Sequence, residues 1–237
     1  MRRIGISSCM VISGACLILA LSGCISAQNS PTPRFYMLGA GYENQVSPVR
    51  GYNFNESEPA SNGVSKKINI ASDVIVGVGP IKIPEYQNRP QIVTQDKEKM
   101  LKFAQFDRWG ESLDLGLTRL IGEDLTAMLP GAKFALYPWD SSIAVKYQVV
   151  IEIVQLDSEL DKDLFVVAQW LVIDAQNTKT MIMKISEFRQ PITPQSYSGL
   201  AKTLSTACGS LSSEIAEALA TLETHPKTKA DAPVTKE

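Results

Sequence analysis

Side chains able to attack a bond, ligate a metal or relay protons are few in this 237-residue chain. His225 is the single histidine and stands in a Thr-His-Pro step that opens a polar stretch. A lone histidine outside the core supports neither a zinc site nor a Ser/His/Asp relay. Cys208 falls on the apolar stripe of a helical pattern, where a thiol packs as a small hydrophobe. Asp157, Glu159, Asp161 and Asp163 alternate between two strand-like runs. They lack the turn glycine and closing glutamate of a calcium loop, so a solvated hairpin loop is expected. Gly39-Ala40-Gly41 and Gly77-Val78-Gly79 lack the third glycine and the following helix of a phosphate cradle, and Pro80 removes an amide that a phosphate would need. They read as turn or bulge glycines. No Walker, HExxH, GxSxG or CxxC spacing occurs. The inventory predicts no enzyme, no metal and no cofactor.

Cys24 is the exception. Arg2 and Arg3 precede a run from 4 to 21 without a charged residue, the n-region and h-region of an export signal. Gly5, Ser7, Ser8, Ser13 and Gly14 dilute that run, which at about 18 residues is already short for a permanent span. The twin arginines lack the rest of a twin-arginine motif. Leu21-Ser22-Gly23-Cys24 resembles the lipobox of bacterial lipoproteins. The resemblance implies cleavage before Cys24 and a diacylglyceryl group on its thiol. Two or three acyl chains, palmitate among them, anchor a protein permanently, whereas one holds it only marginally. Ile25 stands where an aspartate would resemble the inner-membrane retention signal, which implies the outer membrane and a periplasm-facing domain.

Cleavage removes Cys9, Cys16, Arg2 and Arg3, leaving 214 residues and moving the formal charge from -2 to -4. Cys208 is then the one remaining thiol, so no intramolecular disulfide forms even in an oxidising compartment. Such a charge gives no footprint for nucleic acid. Stability must come from an ordinary apolar core, for which a chain of this size suffices.

The elements follow from spacing. Residues 24–33 read as a lipidated polar tether and 34–38 as a short strand. Residues 39–67, rich in Gly, Asn, Ser and Pro, read as a long excursion. Ile68, Ile70, Val74, Val76, Val78, Ile81 and Ile83 alternate through the glycines, predicting a bulged strand that ends at Pro84. Ile92-Val93 and 100–106 form the arms of a hairpin. Leu113, Leu117, Leu120, Ile121, Leu125, Met128 and Leu129 recur at three- and four-residue steps, predicting a helix with 107–109 at its start and Pro130-Gly131 at its end. Strands are predicted over 134–137, 144–156, 164–173 and 181–188, several of them rich in β-branched residues. Leu200, Leu204, Cys208, Leu211, Ile215, Leu219 and Leu222 mark a second helix. This order predicts an α+β domain over 34–222, with a mixed or antiparallel sheet carrying two long amphipathic helices on one face. Residues 223–237, polar and with two prolines, read as a disordered tail.

Several of these segments also carry a family likeness. Val76 to Tyr86 (Val-Gly-Val-Gly-Pro-Ile-Lys-Ile-Pro-Glu-Tyr) is followed by Arg89-Pro90-Gln91-Ile92-Val93-Thr94. Phe106-Asp107-Arg108-Trp109-Gly110-Glu111-Ser112-Leu113, Thr118-Arg119-Leu120, Asp124-Leu125 and Leu129-Pro130 come next. Together they resemble the ABC-type transport auxiliary lipoproteins, and the later strands, Trp170 and the last helix agree in layout. The resemblance implies a lipid-anchored subunit working with an MCE-domain protein and inner-membrane transporter components in the traffic of phospholipids or other hydrophobic solutes. It leaves a homo-oligomer open. Tyr86, Arg89 and Trp109 become candidate partner anchors, because aromatic and arginine side chains dominate interface energetics. The competing reading has Tyr86 and Trp109 capping the core. The alternative function is a carrier that itself holds a lipid between sheet and helices.

Overall fold

The computed structural model describes residues 31–39 and 73–224. The signal segment, Cys24, most of the tether, residues 40–72, His225 and the tail lie outside the described residues. The account below concerns the unit that begins at Pro33.

Strand β1 (Arg34–Tyr36) is followed by β2 (Ile75–Lys82), a single 3-10 turn at Glu85–Gln87, and the hairpin of β3 (Gln91–Gln95) and β4 (Leu101–Trp109). Helix α1 (Leu113–Met128), β5 (Lys133–Leu136), β6 (Tyr147–Ser158), β7 (Asp163–Asp174), β8 (Lys179–Pro191) and α2 (Tyr197–Thr224) complete the order. The class is α+β with mixed pairing, as the spacing predicts. Strand β2 runs parallel to both β5 and β6, whereas β6, β7 and β8 are joined antiparallel.

The strands form two sheets, one of five in the order β5-β2-β6-β7-β8 and one of three in the order β1-β4-β3. Sequence periodicity pointed to one. The division arises at Pro84, where the chain leaves β2 and turns through Glu85–Gln87 before β3. Polar side chains stitch the seam: Gln87 Nε2 donates to Leu156 O at 2.9 Å, and Ser158 Oγ donates to Val93 O at 3.3 Å.

Both helices cover one face of the larger sheet. Along β6 burial alternates, with Val149, Ile151 and Ile153 at 5% exposure or less and Glu152 and Val154 exposed. The inward row of β7 is Leu164, Val166, Ala168, Trp170 and Val172, none above 4% exposed. Against these rows lie Leu117, Leu120, Ile121 and Leu125 of α1 and Leu204, Leu211, Ile215 and Leu219 of α2 in one apolar cluster. Helix α2 starts at a hydroxyl cap, Ser196 Oγ accepting the Gly199 N–H at 3.1 Å.

The glycines of β2 act as bulge and contact residues. Gly79 sits at φ +111°, and the ladder with β6 slips between Val78 and Ile81. A Cβ at Gly77 would meet the Trp139 indole at 2.6 Å. The expected helix start at 107–109 is corrected: these residues end β4, because Asp107, Arg108 and Trp109 pair with β1. The turn at 110–112 leads into α1 instead.

Candidate functional site

Tyr86, Arg89 and Trp109 are placed differently from one another. Trp109 is 6% exposed, in the core cluster, with its backbone N–H donating to Pro90 O at 2.8 Å. An indole this buried offers a partner almost no surface, so as an anchor it is withdrawn in favour of core packing. Tyr86 is half-buried at the seam, its hydroxyl donating to Leu156 O and to Asp157 Oδ1 at 3.4 Å each. Burial pushes its phenol pKa above the ordinary value. Arg89 alone is exposed, and its guanidinium stacks 4.5 Å from the centre of the Phe103 ring.

That stacking marks a surface that sequence reading missed. In β4, Ala104, Asp107 and Trp109 are buried, so Phe103, Gln105 and Arg108 point outward. Cross-strand pairing sets Phe35 of β1 beside Arg108, and Arg108 beside Gln91 of β3. Phe35 is 64% exposed, Phe103 49% and Leu101 39%. Neither Arg89 nor Arg108 forms an ion pair among the described residues.

Strand β1 is held to this sheet by one carboxylate. Arg34 donates to both oxygens of Asp107, at 2.7 and 2.8 Å, and Tyr36 OH donates to Oδ1 at 2.7 Å. The Arg34 hydrogen bond, with the Tyr36 donor beside it, holds the Asp107 carboxyl below its ordinary pKa. A lowered carboxylate pKa stabilises the fold above the ordinary range, and that contribution disappears as pH falls through the lowered value. Asp107→Asn should therefore loosen β1 at neutral pH. Trypsin cleavage after Arg34 should accelerate severalfold at neutral pH, and an acid-active protease should find β1 of the native chain loosened only below the ordinary carboxylate range. Equal cleavage rates at neutral pH would rule out this latch.

The face of the five-stranded sheet away from the helices is open. Val150, Leu171 and Met183 stand side by side across β6, β7 and β8, with Glu152, Gln169 and Ile185 in the next row. Val154, Met183 and Ile185 are 55%, 60% and 65% exposed. Glu152 and Glu187 are exposed charges interspersed with them, Lys82 standing beside Glu152 and Arg189 beside Phe165 on the same face.

The interior is filled. Between sheet and helices, a void lined by Leu117, Ile153, Phe188, Leu204 and Cys208 measures about 10 Å³. Burial and the charge of Asp124 push the Cys208 thiol pKa upward, so it stays protonated and unreactive. A cleft of about 480 Å³ between the β3–β4 and β6–β7 turns is lined by Asp96, Lys97, Glu98, Lys102 and Asp161, a charged lining unsuited to an acyl chain. The acidic loop also differs from expectation. Glu159 is 7% exposed and pairs with Lys99 and Lys162, while Asp161 meets Lys97 and Asp163 meets Arg189. Among the described residues no group of His, Cys, Asp and Glu is arranged to hold a metal ion.

Fold and surfaces together define a small α+β domain whose distinctive features lie on exposed faces rather than in a pocket. The chain belongs to the family of ABC-type transport auxiliary lipoprotein components, whose model matches residues 52–216. The match begins inside the 39–67 segment read as an excursion, and it leaves β1 outside. No curated protein matches the chain. An uncharacterized protein of known crystal structure is 16% identical with a TM-score of 0.58, covering 80% of this chain and 99% of its own. The protein XCC0632 of Xanthomonas campestris, of family DUF330, is 10% identical with a TM-score of 0.55, covering 68% and 91% respectively. At such identities the likeness shows the fold. Family membership makes this chain a lipoprotein-type auxiliary component of an ABC-type transport system.

Proposed function

We propose that the chain is a non-enzymatic subunit, anchored through an acylated Cys24 in the outer membrane and facing the periplasm, of an MCE-type intermembrane transport system. Its cargo would be phospholipid or another hydrophobic solute, and its loss would weaken the outer membrane. The family match carries this reading. The packing of the described core favours docking over carrying. A void of about 10 Å³ admits no acyl chain, whereas ligand pockets run to hundreds of Å³. The subunit therefore acts through its surfaces, and the exposed Val154, Met183 and Ile185 of the larger sheet are available to a protein partner.

Affinity capture of the tagged chain from detergent-solubilised envelopes should recover an MCE-domain protein together with inner-membrane transporter components. Recovery of neither, with the chain itself intact, would overturn the assignment. Co-purification of stoichiometric lipid with the isolated domain would instead favour the carrier.

A further inference from the structure

We propose that the outward face of the three-stranded sheet docks on an anionic phospholipid layer, laying Phe35, Leu101 and Phe103 at the headgroup boundary with Arg89 and Arg108 at the phosphates. The proposal rests on the lipid-anchor reading above, and three observations carry it.

The first is chemistry. Three large apolar side chains, 39% to 64% exposed, share one outward surface with two arginines that have no carboxylate partner among the described residues. Apolar insertion combined with cationic attraction is the composition of an interfacial membrane contact. The second is sorting of charge. The outward neighbours along this face are Gln91 and Gln105, neutral residues, so its charge is that of the two arginines, whereas on the other apolar sheet face Glu152 and Glu187 are offset by Lys82, the register partner of Glu152, and by Arg189. An anionic layer attracts the first face, whereas the second, with charges of both signs, gains no such attraction.

The third is chain length. Only nine residues separate Cys24 from Arg34, where β1 begins. Fully extended, a step of ten positions reaches roughly 35 Å. Phe35 therefore stays within a short distance of the acylated residue. At that range the effective concentration of membrane is high, so a weak patch suffices to orient the domain. Arg89 also lies over Phe103, so the cation is presented together with the ring it would accompany to the interface.

The acylated full chain, reconstituted in vesicles, tests this. A fluorophore is placed on Gln105→Cys, beside the patch, or on Glu187→Cys, on the other sheet. The acylated Cys24 and the buried Cys208 leave the introduced thiol as the labelling site. In phosphatidylethanolamine vesicles containing phosphatidylglycerol, the label at 105 should be shielded from an aqueous quencher and the label at 187 should not. Each arginine near such a surface is worth about fivefold in docked population, and the pair roughly thirtyfold. Shielding should therefore fall when phosphatidylcholine replaces phosphatidylglycerol, and in Arg89→Glu/Arg108→Glu. Phe35→Ser, at a largely exposed position, provides a second variant in case the charge reversal disturbs folding.

Equal quenching at 105 and 187, or shielding indifferent to headgroup charge, overturns the proposal. Shielding that appears only when a transporter component is added also overturns it, assigning the face to a protein. Flotation with the vesicles reports the anchor separately. If the chain does not float with neutral vesicles, the anchor reading falls. Arginine-dependent binding to phosphatidylglycerol vesicles then keeps the docking face, and its absence ends it.

Discussion

Trp170→Ala is expected to cost about 3 to 5 kcal/mol of folding stability, the range for emptying a fully packed tryptophan site. The side chain is 0% exposed at the middle of β7, directly opposite Ile151 of β6 and Lys184 of β8. It sits on the inward row under the helices, so its loss opens a cavity that rigid strands on both sides cannot close. A polar effect adds to the cavity. Trp170 Nε1 donates to Ser186 Oγ at 3.0 Å, and Ser186 Oγ in turn donates to Glu214 on α2. Removing the indole leaves the buried Ser186 oxygen without its donor, and unsatisfied buried groups cost about 1 to 3 kcal/mol. Against a typical total of about 5 to 15 kcal/mol, the loss is large. Urea unfolding should show the midpoint falling with the slope unchanged. Trp170→Phe, which keeps most of the volume but not the N–H, should lose roughly a third as much. An alanine variant within about 1 kcal/mol of the native chain would mean that sheet and helices relax far more than interiors of normal packing density do.

How much of this was legible in advance depended on whether a feature is written locally. The helices were, because Leu113 to Leu129 and Leu200 to Leu222 repeat at three- and four-residue steps that only a helix turns into one face. The bulge in β2 was also legible, since Gly77 and Gly79 interrupt an otherwise regular alternation. The two-sheet division was not. The seam between the sheets is held by Gln87 reaching Leu156 and Ser158 reaching Val93, contacts across 69 and 65 residues that leave no local trace. Trp109 shows the same limit at a single residue. Beside Arg108 and just before a helix, an aromatic reads equally as a surface anchor or a core cap, and its pairing with Tyr36 decides for the core.

The outward patch was hidden for a related reason. Phe35 lies in a three-residue strand, too short to show alternation, and Phe103 occupies a hairpin arm whose apolar residues read as inward. Their common exposure appears only when the ladder sets Phe35 beside Arg108 and brings Arg89 over Phe103. Glu159 is the converse: an acidic loop reads as solvated, and two lysines hold this carboxylate in a buried position instead. Local patterning therefore reported the apolar scaffold well and the surfaces poorly. For a subunit proposed to act through its surfaces, the functional half is the less legible one.

Cys24→Ser is expected to remove the protein from membranes while leaving the domain folded. Under the proposed anchoring, the thiol is the attachment point, and a serine hydroxyl takes no diacylglyceryl group. Each buried methylene is worth about 0.8 kcal/mol, so losing even one long chain forfeits on the order of 10 kcal/mol of partitioning. The membrane-bound fraction should fall by at least about a hundredfold, since no docking patch of the proposed size approaches that energy. Residue 24 lies ten positions before β1, so the urea midpoint of the domain should be unchanged. Mass spectrometry of the retained chain separates two sources of residual binding, acylation and an uncleaved segment 1–23. A processed variant that stays in salt-washed membranes would show that anchoring resides elsewhere. The docking face sharpens the expectation: once released, the variant should bind anionic vesicles weakly and neutral ones not at all, because the arginines persist when the acyl chains do not.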